Sequence, residues 1–234
     1  SLERTSRQAR RWQGHHEACA AMLAGRAEDP RVAERLGRHL LEAGAIDQAL
    51  DPLLRGVEHR LMTVGAQPAQ ALLATVEAAM QDARVPAADP RWGRLWTLSA
   101  RTLQDLGELD QALAEARRAG KTALTHGWPD ISFTAAKTEA RLLLRLRRLP
   151  DAERLLEQLE KDALRHQDPA RLGSALAGQA EVARRKGDPQ RAIDRLRRAI
   201  VALESATERD PDAPLRAQLA QAHLDWGRIA TFLG

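Results

Sequence analysis

The sequence predicts an all-α fold: a right-handed α-solenoid of about eleven helices, stacked as antiparallel pairs with a repeat of about 40 residues. Three observations predict it. Strong helix formers (Ala, Leu, Arg, Glu and Gln) crowd every line, while aromatic residues make up only 3%, with no Tyr and two Phe, so strand builders are scarce. Asp-Pro dipeptides recur as helix starts at Asp29-Pro30, Asp89-Pro90, Asp168-Pro169, Asp188-Pro189 and Asp210-Pro211. Small residues recur at matched intervals, which is the mark of a repeat array.

The helices follow in order from these signals. An Asp before a proline accepts bonds from orphan backbone N–H groups, and the proline at the first helical position has no N–H to leave unpaired. Leu149-Pro150-Asp151 and Trp128-Pro129-Asp130 break the chain in a related way, and Gly44, Gly107 and Gly187 follow apolar-periodic segments as stop signals. The expected helices are therefore 4–25, 31–43, 47–64, 68–82, 91–106, 110–126, 131–147, 151–166, 170–186, 190–207 and 213–231. Short loops between them make antiparallel neighbours. Pro52 falls about one turn inside the third helix, where it removes a backbone bond unless the helix starts late.

Three columns of small residues define the repeat. Gly37, Ala100, Ala140 and Ala180 stand in the first helix of successive pairs; Ala49, Ala112, Ala152 and Ala192 stand in the second. Gly56, Ala119, Leu159 and Ala199 form the third column, and all three run at intervals of 63, 40 and 40 residues. Small side chains let two helix backbones approach closely, with Leu40, Leu103, Leu143, Leu53, Leu156 and Leu196 filling the space between pairs. The longer interval has room for one more helix and a loop near 66–88.

At these residues the chain resembles the tetratricopeptide repeat. Leu36-Gly37, Leu40, Gly44, Ile46, Ala49, Leu53 and Gly56 follow its signature in order, and Trp96, Ala100, Leu103, Gly107, Leu109, Ala112 and Ala119 do so again. The resemblance covers about residues 31–205. It departs from the usual 34-residue period, and Leu40, Leu103, Leu143 and Ala183 stand where a Tyr is usual. A finer resemblance runs through Trp12, His15, the alanines to Ala21, and Ala33-Glu34-Arg35 on to Gly44. It is to the segment behind the ATPase module of bacterial STAND-type ATPases, often fused to a serine/threonine kinase or cyclase domain. The resemblance implies an arm that senses or recruits while other domains do the chemistry. Residues 1–27 are then a helix continuing from a preceding domain, 28–208 the repeat array, and 209–234 a capping helix or a truncated further repeat. In the truncated case Trp226, Ile229 and Phe232 stand exposed and offer a homodimer contact.

Composition excludes several function classes. At 44% hydrophobic and 29% charged, with a net charge of +4, the chain lies far from the disordered corner. Its single Cys19 forms no internal disulfide or thiolate zinc site, so no oxidising compartment is required and the cytoplasm is expected. No run reaches the roughly 18 apolar residues of a membrane span. Lys appears only at 121, 137, 161 and 186, and this Arg- and Ala-rich composition matches a GC-rich bacterial genome. No phosphate-cradling glycine loop, G-x-S-x-G elbow, HExxH or paired CxxC occurs, so no enzyme activity and no cofactor are expected, and an enzyme would need an unrecognised site. The best metal candidate, His15-His16-Glu17 with Cys19, converges only His15 and Cys19 on one helical face, and zinc wants three or four ligands.

Charge placement points to a partner surface. First helices line the concave face of such an array, so residues off their packing face project into a groove. These are Arg31, Glu34, Arg38 and Glu42, then Arg94, Thr97, Arg101 and Asp105, then Lys137, Arg141, Leu144 and Arg145, then Ala177, Glu181, Arg184 and Arg185. The basic members Arg94, Arg101, Lys137, Arg141, Arg145, Arg184 and Arg185, with Leu144 as apolar contact, predict a site for an acidic peptide or protein segment, or for other domains of the same chain. Nucleic acid is the competing partner. It wants a dense basic stripe with aromatic platforms, whereas the net charge here is +4 and Trp96 occupies a core position of the repeat. Arg and Glu alternate around most helices and leave no basic amphipathic face for a membrane.

Overall fold

The structure is a computed structural model that describes the backbone of residues 2–210 and 213–233 and the side chains of residues 10–210 and 214–231. Among these residues there are eleven α-helices and no strand. The chain divides into two compact units, residues 1–131 and 132–234. The first holds α1 (Leu2–Ala24), α2 (Pro30–Glu42), α3 (Ile46–Thr63), α4 (Ala66–Asp82), α5 (Pro90–Leu106) and α6 (Leu109–His126). Helix α7 (Pro129–Arg145) begins at its end. The second holds the rest of α7, then α8 (Leu149–Arg165), α9 (Pro169–Arg185), α10 (Pro189–Arg209) and α11 (Ala213–Leu233).

Helix starts obey the capping argument. Asp29, Asp89, Asp168 and Asp188 each accept a backbone bond, from Arg31, Arg91, Arg171 and Arg191, with proline next in line. Pro211 lies outside the described residues. Gly44, Gly107 and Gly187 end their helices at φ values of +79°, +86° and +78°, a left-handed turn that L side chains resist. Helix α3 starts at Ile46, which leaves Pro52 well past the first-turn orphans; its ring is buried and the Gln48 carbonyl loses its usual helical donor.

Within each unit consecutive helices pack on one another, from α1 through α6 and from α8 through α11, the local arrangement of an α-solenoid. The small-residue columns are what let them do so. Ala49, Ala112, Ala152 and Ala192 are each 0% exposed, and the other two columns are buried throughout. At Gly37 an added Cβ would stand 2.6 Å from Leu53 Cγ, and at Gly56 one would stand 2.8 Å from Glu34 Cβ, so α2 and α3 nest at a distance only glycine permits. The long first interval is filled by α4, as its length requires.

In the second unit Ala180, Ala183, Ile193, Leu196 and Leu203 form a core that receives Ala222 and Ile229 from α11, with Trp226 packed against it. Of the two alternatives for the last segment, the packing of α11 matches a capping helix. Ile229 is buried and Trp226 half-buried against the α9–α10 core, Ile229 sharing a cavity wall with Pro189 and Leu196 near the start of α10, while Phe232 lies outside the described side chains. Helix α10 has 21 residues against 17 in α8, one extra turn, so α11 begins 44 residues after α9 rather than 40.

Candidate functional site

A recessed surface in the second unit is bordered by α7, α9 and α11, with α8 and α10 contributing Leu156, Leu196 and Leu203 to its lining. Lys137, Arg141 and Leu144 of α7, Ala177 and Glu181 of α9, and Gln221 and Asp225 of α11 border a cavity of about 270 Å³. A second cavity of about 560 Å³ shares Ala177, Glu181 and Asp225 with it and adds Arg184, Leu196, Arg228 and Ile229. The lining residues hold equivalent positions: 137, 141 and 144 on α7 repeat as 177, 181 and 184 on α9, and as 221, 225 and 228 on α11. Spacings of four and three keep each set on one side of its helix. The surface is therefore the repeat's first-helix face, displayed three times.

Its charges are mixed. Lys137, Arg141, Arg184 and Arg228 bring positive charge; Glu181 and Asp225 oppose it. Glu181 accepts from Arg184 Nε at 2.7 Å and Nη2 at 2.8 Å, and from Arg185 Nε at 2.5 Å. Burial pushes the Glu181 carboxyl up, but the two guanidinium groups outweigh it and hold it below the usual range. The same bonds raise Arg184 against its own desolvation, with further help from the charge of Asp225. Asp225 in turn accepts from Gln221 Nε2 at 3.0 Å and lies 3.5 Å from Arg228 Nη1. Beside it Ser174 Oγ donates to Gln218 Oε1 at 2.5 Å, tying α9 to α11.

The structure brings Lys137, Arg141, Leu144 and Arg184 to this surface; the remaining residues expected there lie elsewhere. Arg185 is a strut: its Nη1 donates at 2.6 Å to the Leu144 carbonyl, which also accepts from Arg147 N at the end of α7. Leu144 is 6% exposed and forms floor rather than rim. Arg145 is exposed and lies outside the cavity lining. Arg94 and Arg101 stand on α5 in the first unit. Arg94 is turned onto α3, 3.1 Å from Glu58 and 3.6 Å from Asp51, and Arg101 is half-buried.

Thr97 is buried and donates to the Gly93 carbonyl, because α5 packs against α3, α4 and α6 at once and its expected open face is covered. Glu34 likewise leaves the groove. It accepts from Arg60 Nε at 2.5 Å and Nη2 at 2.7 Å, and from Arg38 at 2.8 Å, pinning α2 to α3. Gln221, Asp225 and Arg228 are not among the residues the sequence predicts for this surface. The one signal was the extra turn in α10, which shifts their interval from 40 to 44.

Elsewhere, Trp96 is 8% exposed, stacked on Trp92 at 5.8 Å between ring centroids and covered by the Arg118 guanidinium at 4.1 Å. His15 Nε2 stands 3.7 Å from Cys19 Sγ, and His39 of α2, unforeseen, faces His16. Among the described residues no group of three or more His, Cys, Asp or Glu is placed to hold a metal ion. Nor is any described helix long and apolar enough to cross a membrane.

No protein-family model matches the chain, and no curated protein matches it. Among solved structures the chain is similar to that of BtubC (BKLC) from P. vanneervenii, with 19% sequence identity and a TM-score of 0.58. The match covers 95% of this chain and 83% of that one. A likeness at this identity is one of fold.

Proposed function

We propose that this chain is a noncatalytic interaction module of the tetratricopeptide-repeat type, and that the α7–α9–α11 face of its second unit receives an acidic peptide or protein segment. The observation that carries the reading is the convergence of Lys137, Arg141, Arg184 and Arg228 on a preformed recess floored by Leu144 and Leu196. A preformed surface loses little ordering entropy on binding, and fixed guanidinium and ammonium groups select a carboxylate-bearing partner. The resemblance at Trp12–Gly44 extends this to a sensory or autoregulatory arm of a larger bacterial, cytoplasmic signalling protein with kinase or ATPase modules, its partner then being another chain or another domain of its own.

The site favours a peptide over nucleic acid. Glu181 and Asp225 interrupt the basic lining and would repel a continuous phosphate backbone, and the covered Trp96 is no stacking platform.

Fluorescence polarisation with a labelled Glu/Leu-rich dodecapeptide tests the reading, with a single-stranded oligonucleotide of similar charge as the second probe. The peptide is expected to bind, and Lys137→Glu with Arg141→Glu is expected to weaken it at least tenfold, since two like charges then face it. Equal affinity of the double variant, or tighter binding of the oligonucleotide, refutes the assignment.

A further inference from the structure

Helix α1 is held on α2 by polar groups to an unusual degree. Among its described side chains only Ala20 is buried, while Trp12 and Met22 are 56% and 75% exposed. Three side-chain contacts span the two helices instead. Trp12 Nε1 donates to Glu42 Oε2 at 3.0 Å, Gln13 Nε2 donates to the Ala43 carbonyl at 3.1 Å, and His16 Nδ1 meets His39 Nδ1 at 2.9 Å.

The last contact is chemically conditional. Two imidazole nitrogens at that distance form a hydrogen bond only when one carries a proton and the other offers a lone pair, so one ring must be neutral. When both are imidazolium, both nitrogens are donors, and two cations face each other with ring centroids 4.9 Å apart. The geometry points to a proton-operated clasp: α1 stays docked on α2 while the His16–His39 pair holds at most one charge, and loosens when both rings are protonated.

The surroundings favour the neutral state. His15 stands edge-on to His16 at 5.6 Å between centroids. On α2 Arg35 adds a fixed positive charge, and no charged group of α3 among the described residues acts on His39. The acidic groups nearby are otherwise engaged, Glu42 by Trp12 and Glu17 by Gln13. Burial first, then the charges of His16, Arg35 and His15, hold His39 below its ordinary value of 6.5. The sign follows. The undocked helix binds more protons, so docking is at full strength above 6.5 and is lost as pH falls below that value and through the depressed one.

Hydrogen exchange of the whole chain, corrected for intrinsic rates and run with a chelator, tests the clasp at about pH 7.5 and about pH 5.5. Protection of α1 amides from residue 12 to 23 is expected to fall by up to about tenfold per pH unit across the window, while α9 and α10 hold theirs. In His39→Gln that pH difference is expected to vanish, since an amide donates and accepts without titrating, and in His16→Gln to shrink, since burial, Arg35 and His15 still act on His39. Unchanged α1 protection in the wild-type chain, or the same loss in both variants, overturns the inference. So does a wild-type NMR titration in which both rings of the pair are protonated at or above 6.5, a readout that needs no variant to fold.

Discussion

Gly37→Ala puts the nesting of α2 on α3 to a quantitative test. The added methyl would stand 2.6 Å from Leu53 Cγ, 2.8 Å from its Cδ2 and 3.0 Å from its backbone nitrogen. Leu53 is 0% exposed, so its side chain has nowhere to turn and the backbone is in the way as well. Overpacking of a tight core costs about 1–3 kcal/mol, and contact with both side chain and backbone puts this site near 2–3. Replacing a helical Gly by Ala offsets about 1 kcal/mol of that through propensity. The net expectation is a loss of about 1–2 kcal/mol, or about 3–6 °C in Tm for a unit of this size. Gly227→Ala is the matched control, in a helix where nothing lies within 4 Å of the new methyl, and it should stabilise α11 by up to about 1 kcal/mol. Thermal unfolding by circular dichroism, with hydrogen exchange resolving the helix that carries each change, reads both. If Gly37→Ala raises Tm as Gly227→Ala does, close backbone approach is not what the small-residue column provides.

Further outcomes follow from the captured charges. Glu181→Gln removes the anion that engages Arg184 and Arg185, so the acidic dodecapeptide should bind about two- to fivefold tighter, matching the ~0.5–1 kcal/mol of an exposed ion pair; unchanged or weaker binding argues that Glu181 does not compete with the partner. Glu34 is raised by burial but lowered further by bonds from Arg60 and Arg38, so its folded carboxyl titrates below 4.5. The α2–α3 contact therefore draws stability from it above that value and loses it as pH falls through the depressed one. Glu34→Gln should cost about 1–2 kcal/mol at neutral pH and flatten the acid limb of the urea midpoint against pH; an acid limb as steep as wild type removes Glu34 from the cause.

How far the residues foretold the fold depends on the range over which each signal acts. The helices end within two residues of their expected bounds because Asp-Pro starts and glycine stops are local chemistry, complete within one turn. The small-residue columns were legible for a related reason: a buried alanine can be recognised from its interval without knowing its neighbour. Arg94, Glu34 and Arg185 were not legible as ion-pair members. Each lies on the face expected, yet its long side chain reaches an acid, a guanidinium or a carbonyl on another helix, and sequence spacing along one helix does not say which. The His16–His39 meeting was hidden for the same reason, its partners being 23 residues apart on two helices.

Local and periodic information in the chain was enough to specify an all-helical repeat and the side of each first helix that faces away from the packing columns. Packing then chose the occupants of that side. It crowded α5 between three neighbours, drew Glu34 and Arg94 into pairs with α3, and let one extra turn in α10 carry Asp225 and Arg228 to the recess. The division is physical: caps and helical periodicity are settled within a few residues, whereas charge pairing and cavity shape depend on rigid bodies meeting across long stretches of chain, where a one-turn change in length alters who meets whom.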